Sequence, residues 1–301
     1  GKPEELTRRW VLKDYVTSIE RSNTFRNITV SDRWHWGEVT YAPKYRPDTN
    51  KDGFGLLGIA GWRWVELFLM SRGVAQFWLY QPLEVIQARL AARGDEFVQV
   101  EDLQEILHNY HAAASVSVLA DVLKPEPDTK YEIPVLASYI ISKATEVSHE
   151  ASFLEMFPHY IGNPKPKVLL VGDTRSILKS RGEETTLPFM PVDGNSAEYL
   201  LSALPDDLWH QVGIVNINDP GVKDSFTSLW SLLGFPKIIV LGRLAERTLV
   251  SIPIADDYFT VLPHPQYVRR FFNKTKEDYG QAIARIANAE TKDKEETWTL
   301  R

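Results

Sequence analysis

Val168-Leu169-Leu170-Val171-Gly172-Asp173-Thr174-Arg175-Ser176 sets four apolar residues of strand length before a glycine and an acid. An apolar run bounded by turn signals reads as a strand buried on both faces, the kind found in parallel sheets. Ligands of such sheets lie beyond the strands' C-terminal ends, which makes Asp173 a candidate site residue. Working outward, Leu187-Pro188-Phe189-Met190-Pro191-Val192-Asp193-Gly194-Asn195 precedes a predicted helix, Ser196 to Leu204. Ile214-Val215-Asn216 reads as another strand, Lys237 to Leu241 with Gly242 as the next, then a helix from Arg243 to Leu249. Phe259 to Leu262 is a further strand and ends in Pro263-His264-Pro265-Gln266. Strands alternating with helices predict a three-layer α/β domain over residues 167–288, followed by a polar tail, 289–301.

Before this domain, Glu155 to Pro166 carries Pro158, Gly162, Pro164 and Pro166, so residues 151–166 are expected to be a linker with little regular structure. Residues 1–150 are expected to form a second α/β domain. Glu4 to Glu20 has amphipathic helical spacing, and Ile28 to Ser31 is a β-branched run expected to deliver Asp32 and Arg33 at a strand tip. The aromatic stretch Trp34-His35-Trp36, with Glu38, Tyr41 and Lys44, suits a planar anionic ligand. Gly55 to Arg72 reads as a Trp-rich helix with Trp62, Trp64 and Phe68 as core, and Val74 to Tyr80 as a strand. The next helix ends in Arg89-Leu90-Ala91-Ala92-Arg93-Gly94-Asp95-Glu96, whose two arginines share one face and form a candidate phosphate clamp. Asp102 to Val122 is predicted as one long helix, Tyr131 to Pro134 as a short strand and Val135 to Ser148 as a closing helix.

The chain has 301 residues, a net charge of −6 and no cysteine, which excludes disulfides, thiolate metal sites and cysteine nucleophiles. The charge is about −4 over residues 1–150 and −2 over the rest, so neither half is a generic polyanion binder. Any DNA contact must be local, and the one basic, aromatic cluster is Tyr267-Val268-Arg269-Arg270-Phe271-Phe272-Asn273-Lys274, which makes Arg269, Arg270 and Lys274 candidate DNA contacts. No apolar run is long enough to span a bilayer, and no secretory signal is visible, so a cytoplasmic setting, in a bacterium or a phage-infected host, is expected. Residue 1 is Gly, which leaves room for a segment upstream.

The order of pieces in residues 167–288 resembles the uracil-DNA glycosylase superfamily. The matches are Val171-Gly172-Asp173, Pro188-Phe189 with Gly194, Asn216, Val240-Leu241-Gly242 with Ala245, and His264-Pro265. The resemblance implies that Asp173 positions water, Phe189 stacks on a flipped base, Asn216 reads its edge and His264 stabilises charge leaving on the base. The Pro-Gly usual after the acid is missing, and Gln266 stands where serine is usual.

Asp32-Arg33-Trp34-His35-Trp36-Gly37-Glu38-Val39, with Tyr41 and Pro43, resembles the substrate segment of phage-type deoxynucleoside monophosphate kinases, the thymidylate kinase relatives. The Arg89 to Glu96 run resembles that family's lid. The resemblance implies catalytic roles for Asp32, Arg33, Arg89 and Arg93, substrate contacts at Trp34, Glu38, Tyr41 and Tyr110, and ATP with Mg²⁺ as cofactors. The phosphate loop Gly-x-x-x-x-Gly-Lys-Ser/Thr occurs nowhere in the chain, and no metal ligand set can be read.

Together the two resemblances predict phosphoryl transfer from ATP to a pyrimidine deoxynucleotide, or to a modified pyrimidine base in DNA, in phage nucleotide metabolism or DNA hypermodification. Two alternatives stay open: a noncatalytic nucleotide- or DNA-binding protein, and base excision by the second domain.

Overall fold

The computed structural model describes residues 3–24, 29–32, 34–50, 52–94, 98–125, 133–175, 177–178, 183–184, 187–192, 194–254, 258–272 and 275–289. Helix α1 (Pro3–Thr24) forms over the expected span and buries Leu12, Val16 and Ile19, while Val11 and Tyr15, read from the spacing as core-facing, are only half-buried. The strand expected at Ile28 to Ser31 is not formed over residues 29–31, which are irregular, with Val30 87% exposed. A β-branched run becomes a strand only where a neighbour pairs with it and covers one face, and Val30 has no such cover.

Two short helices, α2 (Trp36–Thr40) and α3 (Ala42–Tyr45), lead to α4 (Gly58–Ser71). Twelve of the fourteen residues of α4 are buried. A helix enclosed on all sides runs through a core rather than over its surface. Then follow β1 (Phe77–Leu79), α5 (Leu83–Arg93), α6 (Leu103–Val116) and β2 (Asp121–Leu123), which pairs in parallel with β1. The single helix predicted from Asp102 to Val122 therefore stops early. Its continuation is blocked by Glu66 of α4, fully buried, whose carboxylate accepts from Ser117 Oγ at 2.9 Å and from the Val118 N–H at 3.0 Å. Helix α7 (Ile133–Ala151) absorbs Ile133 and Pro134, expected in a strand, because proline is tolerated in a first helical turn. Residues 131 and 132 lie outside the described residues. Among those described, the first half is mainly helical, with a two-stranded parallel sheet.

The expected linker is ordered. It holds a 3₁₀ turn, Ser152–Met156, and strand β3 (Ile161–Gly162), and it fully buries Leu154, Tyr160 and Ile161. Apolar residues between the prolines outweigh the breaker signal. Next come β4 (Val168–Gly172), the antiparallel pair β5 (Ile177–Leu178) and β6 (Glu183–Glu184), and α8 (Ser196–Ala203). The chain continues through β7 (Val212–Asn216), α9 (Val222–Leu232), β8 (Lys237–Leu241), α10 (Arg243–Val250), β9 (Phe259–Leu262), α11 (Pro265–Phe271) and α12 (Lys276–Asn288).

The five-stranded sheet has the order β3-β7-β4-β8-β9, parallel except for β3 at one edge. Alternate residues of each strand serve two cores. Val168, Leu170, Val212, Ile214 and Leu262 pack with α8, α11 and α12, whereas Leu169, Val171, Val215, Ile238 and Val240 pack with α9 and α10. This is the α/β class read from the strand–helix alternation. After β4 the chain steps to β7 on one side and then to β8 on the other, a topological switch that opens a crevice at the strand ends.

The first core also takes in Trp62, Trp64, Leu67 and Phe68 of α4. Helix α4 sits on α8 and β3, and polar bonds fix it there. Buried Arg63 donates to the carbonyls of Leu201 at 2.8 Å and Leu204 at 2.6 Å, capping the C-terminal end of α8, and pairs with Asp206. Arg72 donates to Pro158 O at 3.0 Å.

Candidate functional site

At the C-terminal end of the second sheet, a small cleft open to solvent is lined by Gly172, Asp173, Thr174, Phe189, Ser196, Ala197, Asn216 and His264. The register places Gly172 directly opposite Asn216 at the tips of β4 and β7. Glycine is required there. A Cβ at position 172 would lie 2.4 Å from Phe189 Cζ and 2.6 Å from Asn216 Oδ1. Its absence lets ring and amide close over the strand tip.

Phe189 has φ +50, a left-handed conformation that is costly for a side chain of its size. The residues on either side hold it. Pro188 O accepts from Trp64 Nε1 of α4 at 3.1 Å, and Met190 O accepts from Asn195 Nδ2 at 3.0 Å. Asn195 also caps α8, accepting from the Glu198 N–H at 2.8 Å. On the far wall, Gly242 (φ +98) allows β8 to pass His264, whose Cβ would be 2.9 Å from a Cβ at 242.

His264 caps α11, and its Nδ1 accepts the Gln266 N–H at 3.2 Å, so the neutral ring carries its proton on Nε2. Burial pushes its pKa below the usual imidazole range, and the Asp173 carboxylate opposes that shift. Asp173 Oδ1 accepts from Asn218 Nδ2 at 2.6 Å, while Asn218 Oδ1 accepts from Thr248 Oγ1 at 3.1 Å. Asn216 is 2% exposed and lies 3.5 Å, through Nδ2, from Asp219 Oδ2. The cleft thus offers one flat ring, one amide, one imidazole N–H and one carboxylate, a set suited to a planar heterocycle with polar edges.

All four residues expected in the second-domain pocket, Asp173, Phe189, Asn216 and His264, line this cleft. Arg269 and Arg270 are exposed on α11, which His264 caps, between exposed Tyr267 and Phe271; Arg269 donates to Gly194 O. Lys274 lies outside the described residues.

The first-half candidates are arranged otherwise. Arg33 lies outside the described residues, and Asp32 is exposed, its carbonyl accepting from the Trp34 N–H at 2.7 Å. His35 and Trp36 are buried, and His35 Nε2 lies 2.8 Å from Glu66 Oε1. His35 and Trp36 of the aromatic stretch therefore serve the core. Trp34 is half-buried and packs edge-on against Tyr15, with ring centroids 5.4 Å apart. Glu38 is occupied by Arg46 at 2.9 Å and by the Leu56 N–H at 3.1 Å. Tyr41 and Tyr110 meet edge to face, with centroids 6.3 Å apart. Arg89 and Arg93 are exposed near the end of α5. Among the described residues no group of three or more His, Asp or Glu side chains is placed to hold a metal ion, and the sequence has no phosphate loop.

Three contributors were not singled out from the sequence. Asp219 and Asn218 sit in Asn216-Ile217-Asn218-Asp219-Pro220-Gly221, which reads as turn chemistry, although polar residues just past a strand tip are a usable signal. Trp64 reads as core, and nothing local announces its bond across 124 positions.

No protein-family model matches the chain, and a search of curated proteins gives no significant match.

Proposed function

We propose that the protein binds an extruded pyrimidine base, presented by DNA or a nucleotide, in the cleft at the ends of β4 and β7. The observation that carries this reading is the convergence of Gly172, Phe189 and Asn216: a stacking ring and an edge-reading amide held against a strand tip with no side chain between them. An unstacked base needs both. The exposed cations and rings of α11, next to His264, supply a surface for the flanking strand.

The test is fluorescence anisotropy with single-stranded oligonucleotides carrying one uracil or one abasic site. The uracil strand binds about tenfold more tightly, and Phe189→Ala removes most of that difference, since stacking on an aromatic ring contributes about 1–3 kcal/mol per base. Equal affinity of the native protein for the two strands would sink the reading. Base excision is a second reading, favoured by Asp173 and His264 lining the same cleft, and release of free uracil from the strand tests it. Phosphoryl transfer rests on the two kinase-like sequence segments, and γ-phosphate label appearing on hydroxymethyluracil in the strand is its test.

A further inference from the structure

Asp219 lies behind the cleft and does not line it, yet it is a carboxylate only 5% exposed. Burying such a group is costly unless it is paired. Its Oδ1 is 3.3 Å from Arg175 Nε and accepts the Arg175 N–H at 3.3 Å, and its Oδ2 faces Asn216 Nδ2 at 3.5 Å. Burial pushes the Asp219 pKa up, while Arg175, Asn216 and His159 pull it back. The turn after β7 fixes the spacing, with the Asp219 N–H donating to Asn216 O at 3.2 Å.

An ionised carboxylate only accepts hydrogen bonds. The end of the Asn216 amide that faces Asp219 must therefore be the NH₂, because the opposite orientation sets two acceptors against each other. The carbonyl is then turned away, and Asn216 Oδ1 is the atom that lies over Gly172 on the cleft floor. The NH₂ keeps a second proton for a base carbonyl.

Resting on the base-pocket reading above, we infer that Asp219, held by Arg175, is a positioning residue that turns the Asn216 carbonyl into the cleft and so selects bases that present an N–H there. Uracil and its 5-substituted relatives meet this pattern, with N3–H donating to Oδ1 and O4 accepting from Nδ2. In the same stacked pose cytosine offers an acceptor at N3 and a donor at N4, the reverse pattern.

The experiment compares affinities for strands carrying one uracil, one cytosine or one abasic site, for native protein, Asp219→Asn and Arg175→Gln, with folding checked by near-UV circular dichroism. The readout is the uracil-to-cytosine ratio, because a general packing defect lowers both affinities together. Native protein prefers uracil by about fivefold or more. Asp219→Asn, whose new amide can donate to Asn216 Oδ1 and admit the inverted orientation, brings the ratio to one or below. Arg175→Gln, which loosens Asp219 without replacing it, reduces the ratio severalfold and stands in if Asp219→Asn does not fold. A native preference for uracil that both folded variants retain in full overturns the role of Asp219 and leaves the pocket standing. No native preference for uracil over the abasic strand overturns both.

Discussion

His264 combines two environments, a cap at the start of α11 and a wall of the cleft. Because burial lowers its pKa in the folded chain, the unfolded chain takes up the proton first as pH falls. The stability contributed by the neutral ring is thus present above the usual imidazole range and lost on acidification through it. His159, also pushed down by burial, acts in the same direction. The urea midpoint of the native protein falls between about pH 7 and pH 5, and His264→Gln flattens part of that slope. An unchanged slope in the variant would show that the ring is solvated. At this scale the lining of the cleft was legible, because Asp173 and His264 follow apolar strands, Asn216 ends one and Phe189 precedes a helix. Asp219 was not, since an Asp-Pro pair after a strand is ordinary turn chemistry whose burial only the packed structure reveals.

Helix α4 links the two halves of the sequence. Its apolar richness was readable, and so was the expectation that Trp62, Trp64 and Phe68 are core, but their destination was not. Periodicity reports which face is buried and says nothing of what buries it. Here the partners are α8 and β3, and Trp64 Nε1 reaches Pro188 O, one residue before the left-handed Phe189. Trp64→Phe keeps an aromatic ring stacked near Phe68, whose centroid lies 5.5 Å from that of Trp64, but deletes this bond. The expected loss of stability is about 1–2 kcal/mol, for one buried hydrogen bond and a small cavity. The uracil-over-abasic preference also falls severalfold, because Phe189 is released to a relaxed backbone conformation. Loss of stability with the preference intact would show that Asn195 alone fixes the segment. The early stop of α6 has the same character: the helix pattern continues in the sequence, but Glu66 captures the Val118 N–H from another element.

For the whole molecule, the sequence suggests two domains joined by a linker, while one apolar cluster includes α1, α2 and α4 together with α8, α12 and the sheet. Tyr160 and Ile161 of the expected linker are fully buried, and Arg63 caps α8 from the other side of that boundary. Trp64, Leu67 and Phe68 are each fully buried, and a large apolar side chain contributes roughly 1.5–3 kcal/mol on burial. Removing α4 from the sheet would thus forfeit on the order of 5 kcal/mol, comparable to the net stability of a typical domain. Residues 152–289 produced alone should therefore be marginal, binding a hydrophobic dye and eluting as aggregates on size exclusion, with uracil preference lost. Supplying residues 3–151 on a second chain should restore a defined complex and the preference, because the lost contacts are noncovalent. A piece 152–289 that unfolds cooperatively at the urea midpoint of the whole protein would instead show that the sheet stands alone and that α4 is carried on it.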